Sequence, residues 1–390
     1  MLLVNERPLY ICCNSKLLQH LGHRVRFANV CLESIGAEIP EETWSSSDIE
    51  SRLTPLYDRL KLPEGRLELM SGIAQRRVWQ PGTVPSGPSI RSANHAIEAS
   101  SVDRDQIGCL IHASVCRDFL EPATASRVHH GVGLPSRCWV YDVSNACLGL
   151  INGAVQIAMM IESGAIDAGI VVGTENSRPL LEQTIATLNA DVSLSRKSVK
   201  PAFASLTIGS GSCAWLLCHR RLSQHGTTID AAIAQSRTEF HDLCRSNHDT
   251  AGAEMAPLMD TDSERLMAEG IATGAEGFEQ LLDVIGWDRG QVDRSICHQV
   301  GGRHRIAMLE AMGLPIGKDT ITFPRLGNTG SVALPLTLAA AAVSGDLLPG
   351  NHTTMLGIGS GINSVMLAAT WGQTAVAGNL AAQLGLIGVS

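Results

Sequence analysis

The sequence predicts an α/β layered fold made of two similar halves, and three observations carry that expectation. Apolar runs of strand length alternate with longer stretches of helical periodicity, the pattern of sheets covered by helices. That grammar occurs twice in the same order, across residues 25–222 and again across 223–371. With 38 glycines and only 4% aromatics, the core must be built from Ala, Val, Leu, Ile and Gly, which suits helices pressed closely onto sheets. The 390 residues are enough for two domains or one duplicated fold.

Residues 1–24 show no clear pattern and read as a leader or an overlong start. From Val25, VRFANVCLESI predicts a first strand, and SSSDIESRLTPLYDRLKL a helix capped by Ser47 and interrupted at Pro55. Residues 102–105 form a turn, 109–115 (CLIHASV) a buried strand and 123–131 a short helix. Trp139–Val143 is expected as a buried strand, followed by a small-residue helix over 147–163 with Gly164 at its C′ position. A buried strand at 167–176, a polar surface excursion at 177–205 and the strand of SLTIGSGSCAWLLCHRR complete the first half.

In the second half TTIDAAIAQSRTE predicts a strand, 262–286 a long helix, 294–300 (RSICHQV) a strand and Gly302–Met312 a helix. Residues 331–344 form a second small-residue helix, the counterpart of the one at 147–163, since both end Ser-Gly. TTMLGIGSGINSVMLAATW makes a hairpin around a glycine turn, and 372–390 is an Ala/Gly/Leu-rich tail with no assigned structure.

Thirty basic against 38 acidic residues give a net charge of −8, which argues against a general nucleic-acid binder. Eleven cysteines without zinc-type CxxC pairs, several of them in apolar stretches (Cys109, Cys138, Cys213, Cys218), point to a reducing compartment rather than a disulfide framework. No segment reaches the ~18 continuous apolar residues of a membrane helix. The N-terminal apolar run is broken by Asn5, Glu6 and Arg7, so a signal peptide is not indicated. The expectation is a soluble cytoplasmic protein.

The chemistry centres on Cys147, where a strand gives way at once to a helix. Backbone N–H groups and the dipole at a helix start favour the thiolate, the reactive form of cysteine. The bland alternative is a small buried hydrophobe, the usual fate of a free cysteine. Three other segments end or interrupt strands with polar groups: His298 before Gly301-Gly302, Asn328 in LGNTGS, and the glycine turn GIGSG at 357–361. Singly, each is an ordinary strand end or turn. Together they fit one mechanism, with a Cys nucleophile, His and Asn donors, and a glycine turn supplying an oxyanion N–H. There is no strand–GxGxxG–helix unit near the start, so dinucleotide binding is rejected.

DVSNACLGLINGA, ICHQVGGRH, RLGNTGSVALP and LGIGSGINS, in that order, resemble the Cys, His, Asn and glycine-turn segments of the thiolase superfamily. The likeness spans about residues 25–371 and is closest to β-ketoacyl synthase III-like condensing enzymes. It implies a five-layered αβαβα thiolase fold, a homodimer and acyl-thioester condensation, with Cys147 as nucleophile. The oxyanion N–H groups would come from Cys147 and Ser360. ASVCRDFLEPATAS (113–126) and FHDLCRSNHD (240–249) resemble OleA-type enzymes, which join two fatty acyl-CoA molecules without decarboxylation. In that subgroup the glutamate matching Glu121 is a base that reaches the partner subunit's site. Otherwise Glu121 would be a surface carboxylate near a helix start.

An acid at 121 discriminates between two reactions. Losing CO₂ from a malonyl group generates the carbanion directly, whereas a plain acyl-CoA requires removal of an α-proton by a positioned base. The resemblance thus implies acyl-CoA substrates, with acyl-ACP as a second candidate donor, and no metal or permanently bound cofactor. The alternative reaction is decarboxylative condensation with malonyl-ACP or malonyl-CoA. A thioesterase or a catalytically silent acyl-binding scaffold is also compatible with the fold. One departure stands out: the positions of the family's Trp and Arg CoA clamp are occupied by Arg66 and Met70. This leaves Arg303, His304 and Arg325 as candidate phosphate contacts, against a reading as solvated surface.

Overall fold

The computed structural model describes residues 23–246 and 259–386. In chain order the first half holds β1 (His23–Arg26), β2 (Val30–Glu38), β3 (Glu42–Ser45), α1 (Ser46–Arg52), α2 (Thr54–Leu60), α3 (Arg66–Ser71), β4 (Gln75–Val78), α4 (Ser86–Glu98) and β5 (Ile107–Ala113). It continues with α5 (Thr124–Val132), β6 (Trp139–Val143), α6 (Gly149–Glu162), β7 (Ala168–Glu175), α7 (Arg178–Ala190) and β8 (Gly211–His219). The second half holds β9 (Thr228–Ser236), β10 (Cys244–Ser246), β11 (Met259–Thr261), α8 (Ser263–Ile285), β12 (Arg294–Cys297), α9 (Gly302–Met312) and α10 (Phe323–Leu326). Then follow α11 (Ala333–Val343), β13 (His352–Gly359), β14 (Asn363–Thr370), β15 (Ala375–Gly378) and α12 (Leu380–Leu384).

Eleven strands share one mixed sheet in the order β12-β13-β14-β9-β2-β8-β7-β5-β6, with β1 added on β9 and β15 on β2. Strand direction repeats between the halves. β5–β7 is parallel, β7–β8 and β8–β2 antiparallel; likewise β12–β13 is parallel, β13–β14 and β14–β9 antiparallel. β2 and β9 meet at one residue pair, Cys31 and Thr228.

Two helices fill the space between the halves. α6 and α11 pack into one core with strand residues from both (Ile111, Trp215, Ile296, Met355). Nine of the eleven residues of α11 are buried, which is why it is apolar on every side. The opposite faces are covered by α4 and α5 on the first half and by α8 and α9 on the second. Helix, sheet, helix, sheet, helix gives the five layers that the resemblance implies.

Several local expectations are corrected. The first strand is two, because the chain turns at 27–29 and β1 and β2 take different partners, β9 and β8. The cap of α1 is Ser45 rather than Ser47, in a capping box with Asp48, and Pro55 sits in the first turn of a separate helix, α2. β6 is not buried but lies at the sheet edge, with Trp139 63% exposed. Residues 177–205 are not a surface excursion; Leu181, Leu188, Val199 and Phe203 close a separate small core with α1 and α2. The tail is structured as far as 386: β15 adds to β2, and Asn379 bonds both the N–H and the carbonyl of Ile39 (2.7 and 2.9 Å). No helix among the described residues is long and apolar enough to cross a membrane. Nine free cysteines lie among them.

Candidate active site

Cys147 lies in the turn between β6 and α6. The helix starts only at Gly149, later than the sequence suggested. Ala146 has φ 44, a left-handed conformation that strains any residue with a Cβ, and the Leu148 N–H closes the turn onto the Asn145 carbonyl at 2.9 Å. The expected thiolate stabilisation is not found. Burial pushes the thiol up to about 12, with Cys244 and the Glu175 carboxylate acting in the same direction. Two residues short of the helix, desolvation outweighs the dipole.

The end of β13 packs on this turn through glycine. A Cβ at Gly359 would lie 3.0 Å from Leu148 Cγ and 3.6 Å from the Cys147 nitrogen, and one at Gly357 would lie 2.8 Å from Leu148 Cδ2. Larger residues would lift the strand away. Ser360 follows at the tip of the hairpin, where its carbonyl accepts from Asn363 Nδ2 (3.2 Å). The same Nδ2 donates to Asn145 Oδ1 (3.3 Å), which ties the hairpin tip to the nucleophile turn. Among the described residues, neither the Cys147 nor the Ser360 N–H donates in a turn or loop hydrogen bond.

His298 follows the last residue of β12, its N–H donating to the Leu356 carbonyl at 3.1 Å. The ring is buried, Nδ1 has no protein partner, and burial next to His304 pushes the imidazole down to about 3. Burial thus favours the uncharged ring. Gln299 anchors the strand end, donating to the Cys297 carbonyl (2.7 Å) and accepting from the Thr322 N–H (3.0 Å) just before α10.

Asn328 is buried in the loop after α10, its N–H donating to the Thr207 carbonyl (3.0 Å) and its carbonyl accepting from the Gly209 N–H (2.9 Å). Its Oδ1 accepts from the Gly330 N–H at 3.0 Å. That bond fixes the amide's orientation and leaves Nδ2–H as the donor it can offer a ligand.

Glu121 stands apart. It is exposed in the loop between β5 and α5, with no hydrogen bond or ion pair among the described residues. Around it Val115, Phe119 and Leu120 are also exposed, at 53%, 51% and 59%. Glu175 was not singled out in the sequence. Its carboxylate, at the end of β7, holds both the start of the Glu121 loop and the residue three after Asn328. The available signal was an acid closing a wholly buried strand, IVVGTE.

At the family's CoA-clamp positions the Arg66 guanidinium lies over the Phe203 ring at 5.9 Å and Met70 is exposed. Of the three candidate phosphate contacts, His304 is buried, and Arg325 donates to the Leu384 carbonyl. Arg303 is exposed. The last three residues of FHDLCRSNHD, 247–249, lie outside the described residues. No group of metal-ligating side chains converges among the described residues.

The two duplicated halves around α6 and α11, with Cys147 on the turn before α6, have the layout of a condensing acyltransferase of the thiolase fold. A family model described as the C-terminal domain of 3-oxoacyl-[acyl-carrier-protein (ACP)] synthase III matches residues 282–371. The acyl-CoA:acyl-CoA alkyltransferase of Shewanella oneidensis is 36% identical over 351 residues, 89% of this chain and 100% of that protein. Its namesake from Xanthomonas campestris is 32% identical over 345 residues, 88% and 99%. The crystal structure of cerulenin-bound Xanthomonas OleA matches with a TM-score of 0.83 at 32% identity, covering 89% of this chain and 98% of that one. A Cys-to-Ser variant of OleA, solved with lauric acid and lauroyl-CoA, also matches with a TM-score of 0.83. The chain belongs to the acyl-CoA:acyl-CoA alkyltransferase family.

Proposed function

We propose that the protein condenses two fatty acyl-CoA thioesters head to head, without decarboxylation, to a 2-alkyl-3-keto acid. Cys147 Sγ attacks the first thioester, and CoA leaves as the thiol, carrying the proton that Cys147 gave up. The Glu121 carboxylate of a second subunit removes the α-proton of the second acyl-CoA. His298 and Asn328 Nδ2 donate to the enolate oxygen. The α-carbon then attacks the acyl-enzyme carbonyl, whose oxyanion rests on the N–H groups of Cys147 and Ser360, and Cys147 is expelled as the thiolate, which recovers the proton held by Glu121. Hydrolysis of the remaining thioester releases the keto acid and a second CoA.

The observation that carries this reading is Glu121, an unpartnered carboxylate on an arm of exposed apolar side chains. A decarboxylating synthase has no use for such a base. The arm and the exposed edge of β6, with Trp139, are surfaces that a second copy of the chain would cover. A homodimer is therefore part of the proposal. CoA is taken as the acyl carrier, following the lauroyl-CoA in the Xanthomonas complex. Substrate class and free cysteines fit the cytoplasm.

The test is incubation of the purified protein with myristoyl-CoA alone. Release of CoA with a condensed β-keto acid supports the proposal. Product only with a malonyl donor, with CO₂ evolved, contradicts it in favour of the decarboxylative reaction. CoA release without condensed product would make the protein a thioesterase. Absence of an acyl adduct on Cys147 by intact mass would make it an acyl-binding scaffold.

A further inference from the structure

Glu175 is only 5% exposed, yet each group bonded to its carboxylate is a neutral N–H or O–H. Oε1 accepts from the Val115 N–H (3.1 Å), the Ser331 hydroxyl (2.5 Å) and the Ser331 N–H (3.4 Å). Oε2 accepts from the Cys116 N–H at 3.4 Å. Holding a buried carboxylate with neutral donors alone is costly, and a serine or an apolar residue would cost the fold less.

The partners belong to two segments that meet nowhere in sequence. Val115 and Cys116 are the root of the arm that ends at Glu121, and Ser331 closes the turn that begins at Asn328. Between them in that turn is Gly330, with φ +56, where a Cβ would lie 3.1 Å from Glu175 Cγ. The same Gly330 donates its N–H to Asn328 Oδ1. The Glu175 side chain therefore packs on the residue that orients the Asn328 amide, while its oxygens hold the base-bearing arm.

We propose that Glu175 is a positioning residue for condensation, a carboxylate clamp that fixes the Glu121 arm and the Asn328 turn in one frame. The clamp rests on the condensation proposed above. It serves the carbon–carbon bond-forming step, which needs both the base and the enolate donor, and not the acylation of Cys147, which needs neither. In a dimer the arm enters the partner's site while the turn serves its own chain. One clamp thus stands between two active sites.

Glu175→Gln replaces an accepting oxygen with an NH₂ that opposes the backbone donors. Misplacement on this scale costs about a hundredfold, so kcat for condensation of myristoyl-CoA should fall by that factor. KM and the single-turnover release of CoA on Cys147 acylation should stay within about threefold. A second readout is alkylation of Cys147 by iodoacetamide as a function of pH. The thiol faces Glu175 from β7 and Cys244 from β10, so losing the anion should move the profile to lower pH. Glu175→Asp, which keeps the charge, should restore part of the condensation rate. Ser331→Ala, which keeps the carboxylate and removes its shortest bond, should cost condensation about tenfold.

Condensation at the wild-type rate in Glu175→Gln overturns the clamp. So does an equal fall in acylation and condensation, which is what a merely structural residue would give. If Glu175→Gln does not fold, full condensation in Ser331→Ala overturns it. A wild-type enzyme that makes no condensed product overturns the proposed reaction and the clamp with it, whereas a condensing wild type with an unaffected Glu175→Gln removes the clamp alone.

Discussion

The turn that carries Asn328 and the arm that carries Glu121 are held by the same buried carboxylate, yet they end in opposite states. Asn328 is buried, with its N–H, carbonyl and side-chain oxygen all bonded within the chain. Glu121 is exposed among exposed apolar neighbours and bonded to nothing among the described residues. On the mechanism proposed above, one chain finishes its enolate donors and leaves its base unfinished. The difference would then separate groups that must be rigid before substrate arrives from a group that a second subunit must put in place.

The largest effect is expected where the chain is unfinished. Glu121→Gln removes the base and should cut condensation by about 10²–10⁴-fold while leaving Cys147 acylated. Quantifying keto acid against acyl adduct by mass checks this, and full condensation in the variant would remove Glu121 from the mechanism. On the finished side, His298→Ala and Asn328→Ala each remove one donor to a developing oxyanion. Each should cost about 10²–10³-fold in condensation and less in acylation. Equal losses in both steps would show that these residues act on the acyl-enzyme rather than the enolate.

A separate effect, on stability, is predicted for acid. Burial pushes the His112, His298 and His304 imidazoles down to about 4, 3 and 4. His112 lies on β5 below the Glu121 arm, and the other two lie on the donor side. In the unfolded chain each would take a proton near pH 6.5. Between that pH and about 4 the unfolded state therefore binds more protons, and stability falls as pH drops. Each histidine contributes up to about 1.4 kcal/mol per pH unit in that window. The urea midpoint should fall between pH 7 and pH 5; an unchanged midpoint would mean that these rings are not held neutral.

Cys147, His298, Asn328 and the glycine turn were legible because each breaks a strongly patterned strand or helix at a fixed place in the repeat. The two small-residue helices at 147–163 and 331–344 announced the duplication, and both became central helices. What could not be read depended on contacts distant in sequence. Whether β6 is buried depends on its place at the sheet edge, which the five residues WVYDV do not encode. Residues 177–205 look polar, but Leu188 and Phe203 find partners in α1 and α2 more than a hundred residues earlier. A helix start alone would favour a Cys147 thiolate, but burial, with Cys244 and Glu175 from two other elements, works against it. Glu175 itself has no motif, because its role is defined by Val115 and Ser331, which flank it at separations of 60 and 156 residues.

The central claim, a nucleophile and donors from one chain with a base from another, is tested most directly by mixing two inactive variants. Cys147→Ala and Glu121→Gln homodimers should each fail to condense myristoyl-CoA. In a heterodimer exchanged from the two, one site combines an intact Cys147 with an intact Glu121 from across the interface. Condensation should return to about a quarter of the wild-type rate for a statistical mixture. If the exchanged heterodimer is confirmed and no keto acid forms, Glu121 does not act across the subunit interface, and the account is wrong at its centre.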